Sequence, residues 1–232
     1  MIRRVLAAAS VLLAASLFIG MPPSSAAIAY RSHWTLDEIN SPTAFDSSGN
    51  GNHGTTYNVV GDGSAYTFDG QDARVIVPSS PSLNPGTADF SWGVTLSTTL
   101  VPQPLGETYD VLRKGLSSNR SGFYKIEIKN AKGKALARCV AKSIRSDGSK
   151  VTAAIQGATN LADGQQHVVS CAKTSTGITL YVDSLTPRTK TIAGGLGSVS
   201  NDAALALGAK AELTANTGFD WFEGKIYDAW VS

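Results

Sequence analysis

Apolar residues at every second position are the feature that most restricts how this chain can fold. In Asp89-Phe90-Ser91-Trp92-Gly93-Val94-Thr95-Leu96, the residues Phe90, Trp92, Val94 and Leu96 share one face of an extended segment. Ile178, Leu180 and Val182 repeat the pattern, and Tyr124, Ile126 and Ile128 alternate with Lys125, Glu127 and Lys129. Successive side chains of a strand point to opposite sides, so a period of two means one buried and one solvated face. Further strands are predicted over 32–37, 73–77, 166–173, 204–208 and 225–231. Turn-rich stretches such as Ser47-Ser48-Gly49-Asn50-Gly51-Asn52 and Asp147-Gly148-Ser149 separate them. Many short alternating strands without helical periodicity predict an all-β fold, a two-sheet antiparallel β-sandwich.

The N-terminus reads differently. Met1-Ile2-Arg3-Arg4 is followed by an apolar run from Val5 to Gly20, then Pro22-Pro23 and small residues. A basic start, a short apolar stretch and an Ala-x-Ala-like end are the parts of a secretory signal peptide over 1–29, cleaved after Ala27 or Ala29. The run is short for a bilayer core of roughly 30 Å, so the expectation is export of one soluble domain, 30–232, without a membrane span. The whole chain carries 20 basic and 18 acidic residues. Arg3 and Arg4 make up the difference, so the chain after the leader is neutral and nucleic acid is not an expected partner. Cys139 and Cys171 are the only cysteines, each in a strand-like segment. In an exported chain an even count favours a disulfide, here expected between neighbouring strands.

Several segments together resemble a known family. His33-Trp34-Thr35-Leu36-Asp37-Glu38, followed by Asp46-Ser47-Ser48-Gly49-Asn50-Gly51-Asn52, is similar to the opening of bacterial laminin-G-like domains. Ala65-Tyr66-Thr67-Phe68-Asp69-Gly70, Ala88-Asp89-Phe90-Ser91-Trp92, Asp163-Gly164-Gln165-Gln166-His167 and Phe222-Glu223-Gly224-Lys225-Ile226 follow in the order that family shows. The resemblance spans about 32–231 and implies a concanavalin A-like jelly roll. It also implies a structural calcium ion near the glycine-rich loop, with Asp46, Asn50, Gly51 and Asp228 as the candidate ligands. Tyr227 stands where relatives often carry an acidic ligand. Asp228 follows it, and strand alternation places the two on opposite faces. The bland reading of the loop is a set of local side-chain-to-backbone turns.

Candidate ligand-binding residues are sparse. Trp34, Trp92 and Trp230 sit at strand positions that read as core, which leaves Trp221 and Tyr109 as loop aromatics able to stack on a sugar. From Val101 to Lys150 there are 11 basic residues against 4 acidic ones. Lys125 and Lys129 share one strand face, and Arg138 and Lys142 another. Adjoining, these faces would form a positive patch for acidic polysaccharide; the alternative is an ordinary solvated face. None of the five Glu has an Asp or Glu two residues away, so the paired carboxylates of a glycosidase are not seen on one strand. The sequence therefore points to a secreted, monomeric, non-catalytic module for polysaccharide or cell-surface glycan. A structural or adhesive domain, and a glycan-cleaving enzyme with an unrecognised site, are the alternatives.

Overall fold

The computed structural model describes residues 29–116, 121–210 and 220–232. All but the last residue of the expected leader lies outside the described residues. Among those described, no helix is long and apolar enough to cross a membrane. In chain order, β1 (Ser32–Trp34), β2 (Thr43–Ala44), β3 (Gly54–Tyr57), β4 (Val60–Gly61), β5 (Tyr66–Asp69) and β6 (Arg74–Val77) come first. The long central strands are β7 (Phe90–Ser97), β8 (Thr108–Lys114), β9 (Phe123–Ala131), β10 (Lys134–Ile144) and β11 (Lys150–Asn160). Then come β12 (His167–Lys173), β13 (Gly177–Val182), β14 (Arg188–Thr191), β15 (Leu205–Leu207) and β16 (Glu223–Val231).

These strands form two antiparallel sheets, the β-sandwich that the alternation predicts. The first runs β14-β13-β12-β7-β16-β5-β4, with β1 also paired to β16. The second runs β11-β10-β9-β8-β15-β6-β3-β2. The inward sets match the sequence pattern: Trp92, Val94 and Leu96 of β7 meet Tyr124, Ile126 and Ile128 of β9, all fully buried. Trp92 and Tyr124 ring centroids lie 5.4 Å apart across the sandwich, and Phe90 joins them at 4.9 and 5.1 Å. Aromatic clusters of this kind supply much of the buried area that drives folding.

Cys139 and Cys171 are bonded, with Cα atoms 5.8 Å apart. The bridge does not join neighbouring strands of one sheet. Cys139 is on β10 of the second sheet and Cys171 on β12 of the first, so it pins the two layers through the core. Alternation tells which face a cysteine takes, and both face inward, but it does not tell which sheet each strand joins. Closing a separation of 32 residues constrains the unfolded chain. In the chain-entropy treatment that constraint is worth roughly 3–4 kcal/mol.

At the mouth of β12, His167 sits between two carboxylates, Asp183 at 2.8 Å and Asp163 at 3.1 Å. Burial works against its charged form, but the bonds to Asp183 and Asp163 outweigh burial and raise its pKa above the ordinary 6.5. A raised folded-state pKa means that the charged form stabilises the fold. That contribution is complete below the unfolded-state value and is lost as pH rises through the folded-state one. Melting temperature should therefore fall from mildly acidic to mildly alkaline buffer, and His167→Gln should flatten the profile. An unchanged profile in the variant would assign the pH dependence elsewhere.

Candidate functional site

The outer face of the first sheet holds an aromatic platform, and a bulge in β16 creates it. Ile226 lies opposite Leu96, and Asp228 lies opposite the next residue of β7, Thr95, so Tyr227 is an extra residue in the ladder. Bulges re-aim side chains by breaking the period of two. Strict alternation from Ile226 would send residues 228 and 230 inward. The extra residue reverses this: Ala229 and Val231 are buried, while Asp228 and Trp230 turn outward. Trp230 is thus not a core residue, and Tyr227 and Asp228 do not take opposite faces.

Trp230 lies against the sheet over Gly93 of the neighbouring strand. A Cβ at Gly93 would come within 2.5 Å of the indole atoms Cε2 and Cζ2. The indole is therefore laid on bare backbone, and it remains partly exposed. Tyr30 packs beside it with centroids 6.0 Å apart, and Tyr30 in turn stacks on His33 at 4.5 Å. His33 Nε2 is 2.7 Å from Asp228 Oδ2, which fixes both groups at the platform's edge. Across the sheet, Gly93 is followed by Ser170 and then by Tyr181, which is 40% exposed. At the other end of the same face a cavity of about 410 Å³ is lined by Thr67, Ser97, Thr98, Lys225 and Tyr227, among others. Ser97 Oγ and Tyr227 Oη are 3.1 Å apart, and Thr98 Oγ1 donates to the Glu223 carbonyl at 2.8 Å. Lys225 there is held by Asp62 at 2.8 Å, an ion pair that raises the lysine's pKa. A flat ring flanked by hydroxyls, a carboxylate and an imidazole can take the C–H face of a sugar while its edge groups bond the hydroxyls.

The sugar-stacking and basic residues singled out from sequence lie elsewhere. Lys125, Lys129, Arg138 and Lys142 do adjoin on the outer face of the second sheet, through the pairing of β9 with β10. Two of the four are held in ion pairs there. Lys125 Nζ is 2.9 Å from Asp110 and also pairs with Glu127, while Arg138 is 2.6 Å from Glu127. Arg113 binds the other oxygen of Asp110 at 2.6 Å. Trp221 packs against Ile76, Ala204, Ala206 and Ala209, with the Arg74 guanidinium 5.9 Å from its ring. Tyr109 is edge-on to Phe222 at 6.4 Å, and burial first, then Glu223, raises its pKa. Tyr109 is on β8 and Trp221 packs on β6 and β15, all of the second sheet, whereas Trp230 is on the first.

The glycine-rich loop does not fit a calcium cradle. Asp46 Oδ1 accepts the N–H groups of His33 and Ser48, and Oδ2 accepts the Asn52 N–H and the Ser48 hydroxyl. Burial acts to raise the pKa of Asp46, but these donors outweigh it and hold the carboxyl below its usual range. All four lone-pair directions are thereby spent on hydrogen bonds. The Asn50 amide donates to the Arg31 carbonyl at 3.1 Å, Gly51 supplies a positive φ of 71°, and Asp228 is engaged by His33. Among the described residues, no group of three or more His, Cys, Asp or Glu is placed to hold a metal. Calcium should leave the melting temperature where a chelator leaves it. A rise of several degrees with calcium alone would show that the loop rearranges around the ion.

With the geometry in hand, the chain can be set beside known proteins. No family profile and no curated protein matches it. Solved structures do. The likeness is one of fold. The binding domain of Paraclostridial mosquitocidal protein 1 aligns over 88% of this chain with a TM-score of 0.59 and 16% identity. This chain spans about half of that domain, 48% of its length. Mouse laminin α1 domains LG4-5 align over 74% of this chain and 42% of theirs, with a TM-score of 0.53 and 12% identity. Domain 4 of AbnA, a GH43 extracellular arabinanase from Geobacillus stearothermophilus in complex with arabinotriose, aligns over 87% of this chain and 91% of its own. Its TM-score is 0.55 and its identity 14%. The sandwich architecture is thus shared with laminin-G domains and with a sugar-bound module.

Proposed function

We propose that this chain is a secreted carbohydrate-binding domain whose binding surface is the outer face of the first sheet. The observation that carries the reading is Trp230, whose indole lies over Gly93 and stays partly exposed. The leader-like N-terminus and the inter-sheet disulfide support export. That the similar arabinanase domain holds arabinotriose supports a glycan as ligand, since fold alone does not license function. Charge favours a neutral glycan over an acidic one. On the platform Asp228 is hydrogen-bonded to His33 and Lys225 is paired with Asp62, and on the other sheet Arg113, Lys125 and Arg138 are paired with Asp110 and Glu127.

The test is retention of the purified protein on immobilised neutral and acidic polysaccharides. Retention on a neutral glycan that survives added salt supports the reading. Retention on acidic glycans alone, fading with salt, would move the site to the lysine-bearing sheet. Retention on none would leave a structural or protein-docking role.

A further inference from the structure

Trp230 has a partner on its own face of the sheet. The bulge in β16 puts Trp230 opposite Gly93, Gly93 lies opposite Ser170, and Ser170 opposite Tyr181. These four residues form one row that crosses β16, β7, β12 and β13 perpendicular to the strands. The row points outward, because Val169, Cys171, Leu180 and Val182, its neighbours along the strands, are buried. The indole covers the Cβ position of Gly93, so the stacking ring sits above β7 rather than above its own strand. Tyr181, 40% exposed, stands two strands further on. Neighbouring strands lie about 4.8 Å apart, so the indole and the root of the Tyr181 side chain are separated by about 10 Å. Between them the row carries Ser170, whose short side chain does not stand in the way.

The adjoining rows carry neutral hydrogen-bonding groups. On one side Ser232, Ser91, Ala172, Thr179 and Thr189 follow in the same cross-strand order. The hydroxyls of Ser232 and Ser91 are 2.5 Å apart, and those of Thr179 and Thr189 are 3.0 Å apart. On the other side Thr95 follows the His33-bound Asp228. The face is therefore a strip, with aromatic rings along its middle and hydroxyls along its edges.

Resting on the carbohydrate reading above, we infer that the ligand is an unbranched β-1,4-linked chain of the glucan or mannan type. It lies across the strands, with one sugar on Trp230 and the next but one on Tyr181. In such a chain every linkage is equatorial, so the backbone is a straight ribbon in which each sugar is turned over relative to the last. Alternate sugars then show the same C–H face to a flat support, and two linkage steps cover the distance between the two rings. An α-1,4 chain curls and a β-1,3 chain coils, so neither keeps alternate sugars on a straight row.

The experiment is titration calorimetry of the purified protein with cello- and manno-oligosaccharides of two, three and four sugars. Gel retention on hydroxyethylcellulose, glucomannan, laminarin and soluble starch accompanies it. Affinity should step up about tenfold from disaccharide to trisaccharide, the first length that reaches both rings, and rise little after that. Tyr181→Ala, on an exposed site, should weaken the trisaccharide about tenfold and leave the disaccharide, held by Trp230, as in the parent. Ser170→Ile, which raises a branched side chain between the rings, should remove the same step. The inference is overturned by equal affinity for the two lengths, by a trisaccharide indifferent to Tyr181→Ala, or by retention on laminarin or starch alone. If Trp230→Ala still abolishes retention in those cases, the platform stands and its ligand class is wrong. Retention on none of the four polymers overturns the inference and the platform together.

Discussion

Trp230→Ala is expected to abolish retention on whichever neutral glycan the parent protein binds, a loss of at least a hundredfold in affinity. The magnitude follows from concentration of binding energy. In most interfaces a few large aromatic anchors carry about 2 kcal/mol or more each, and tryptophan leads the list. Here the ring is a good anchor because its position is fixed before any ligand arrives. The backbone at Gly93 supports one face, and Tyr30 packs at the edge. A preordered ring loses little entropy on binding. The fold should survive the substitution, since Trp230 is not part of the buried core and its strand neighbours Ala229 and Val231 are. Gly93→Val tests the same idea from beneath. Its branched side chain would displace the indole from the sheet, and retention should fall without any change to the tryptophan itself. The measurement is affinity electrophoresis or titration against the retained glycan, with thermal melting to confirm folding. Unchanged retention in Trp230→Ala would remove the platform from the account.

The contrast between Trp92 and Trp230 shows where sequence suffices and where it does not. In β7 the alternation from Phe90 to Leu96 is unbroken, and every residue it assigns to the core is buried. In β16 one inserted residue, Tyr227, reverses the assignment of all that follows. A one-residue shift exchanges the two faces of a strand. The only signal in the sequence is that Ala229 and Val231, apolar and two apart, are out of phase with Ile226. The cysteines mark a second limit. Both were legible as strand residues, yet which sheet each strand joins depends on pairings between distant segments. The lysines mark a third. Lys125, Glu127 and Lys129 were visibly on one face, so a carboxylate beside the positive charges was already in view. What could not be read was Asp110, brought alongside by β8 with a bulge of its own between Asp110 and Leu112.

Asp110→Ala is expected to destabilise the fold by about 3–5 kcal/mol, which is the usual cost of breaking a buried pair by removing one partner. Asp110 is fully buried, Glu127 is 1% exposed and Arg113 is 3% exposed, so little water is present to take over when a charge loses its partner. The carboxylate accepts Arg113 Nη1 at 2.6 Å on one oxygen and Lys125 Nζ at 2.9 Å on the other. Without it, Arg113 keeps its Nε bond to the Gly115 carbonyl and its place over the Phe123 ring, and Lys125 and Arg138 are left sharing Glu127. One effect works the other way. Burial and the nearby charge of Asp110 raise the pKa of Asp220, so deleting Asp110 relieves part of that repulsion. The relief is smaller than the loss, because two cations lose a direct partner and one carboxyl loses only a neighbour. Lys129→Ala, on the same face, is the control and should cost less than about 0.5 kcal/mol. Denaturant unfolding of the three proteins gives the comparison. If Asp110→Ala unfolds at the same concentration as Lys129→Ala, the network is solvated in practice and its lysines return as candidates for an acidic ligand. If it unfolds far earlier while the folded fraction still binds glycan, the second sheet holds the sandwich together and the first does the binding.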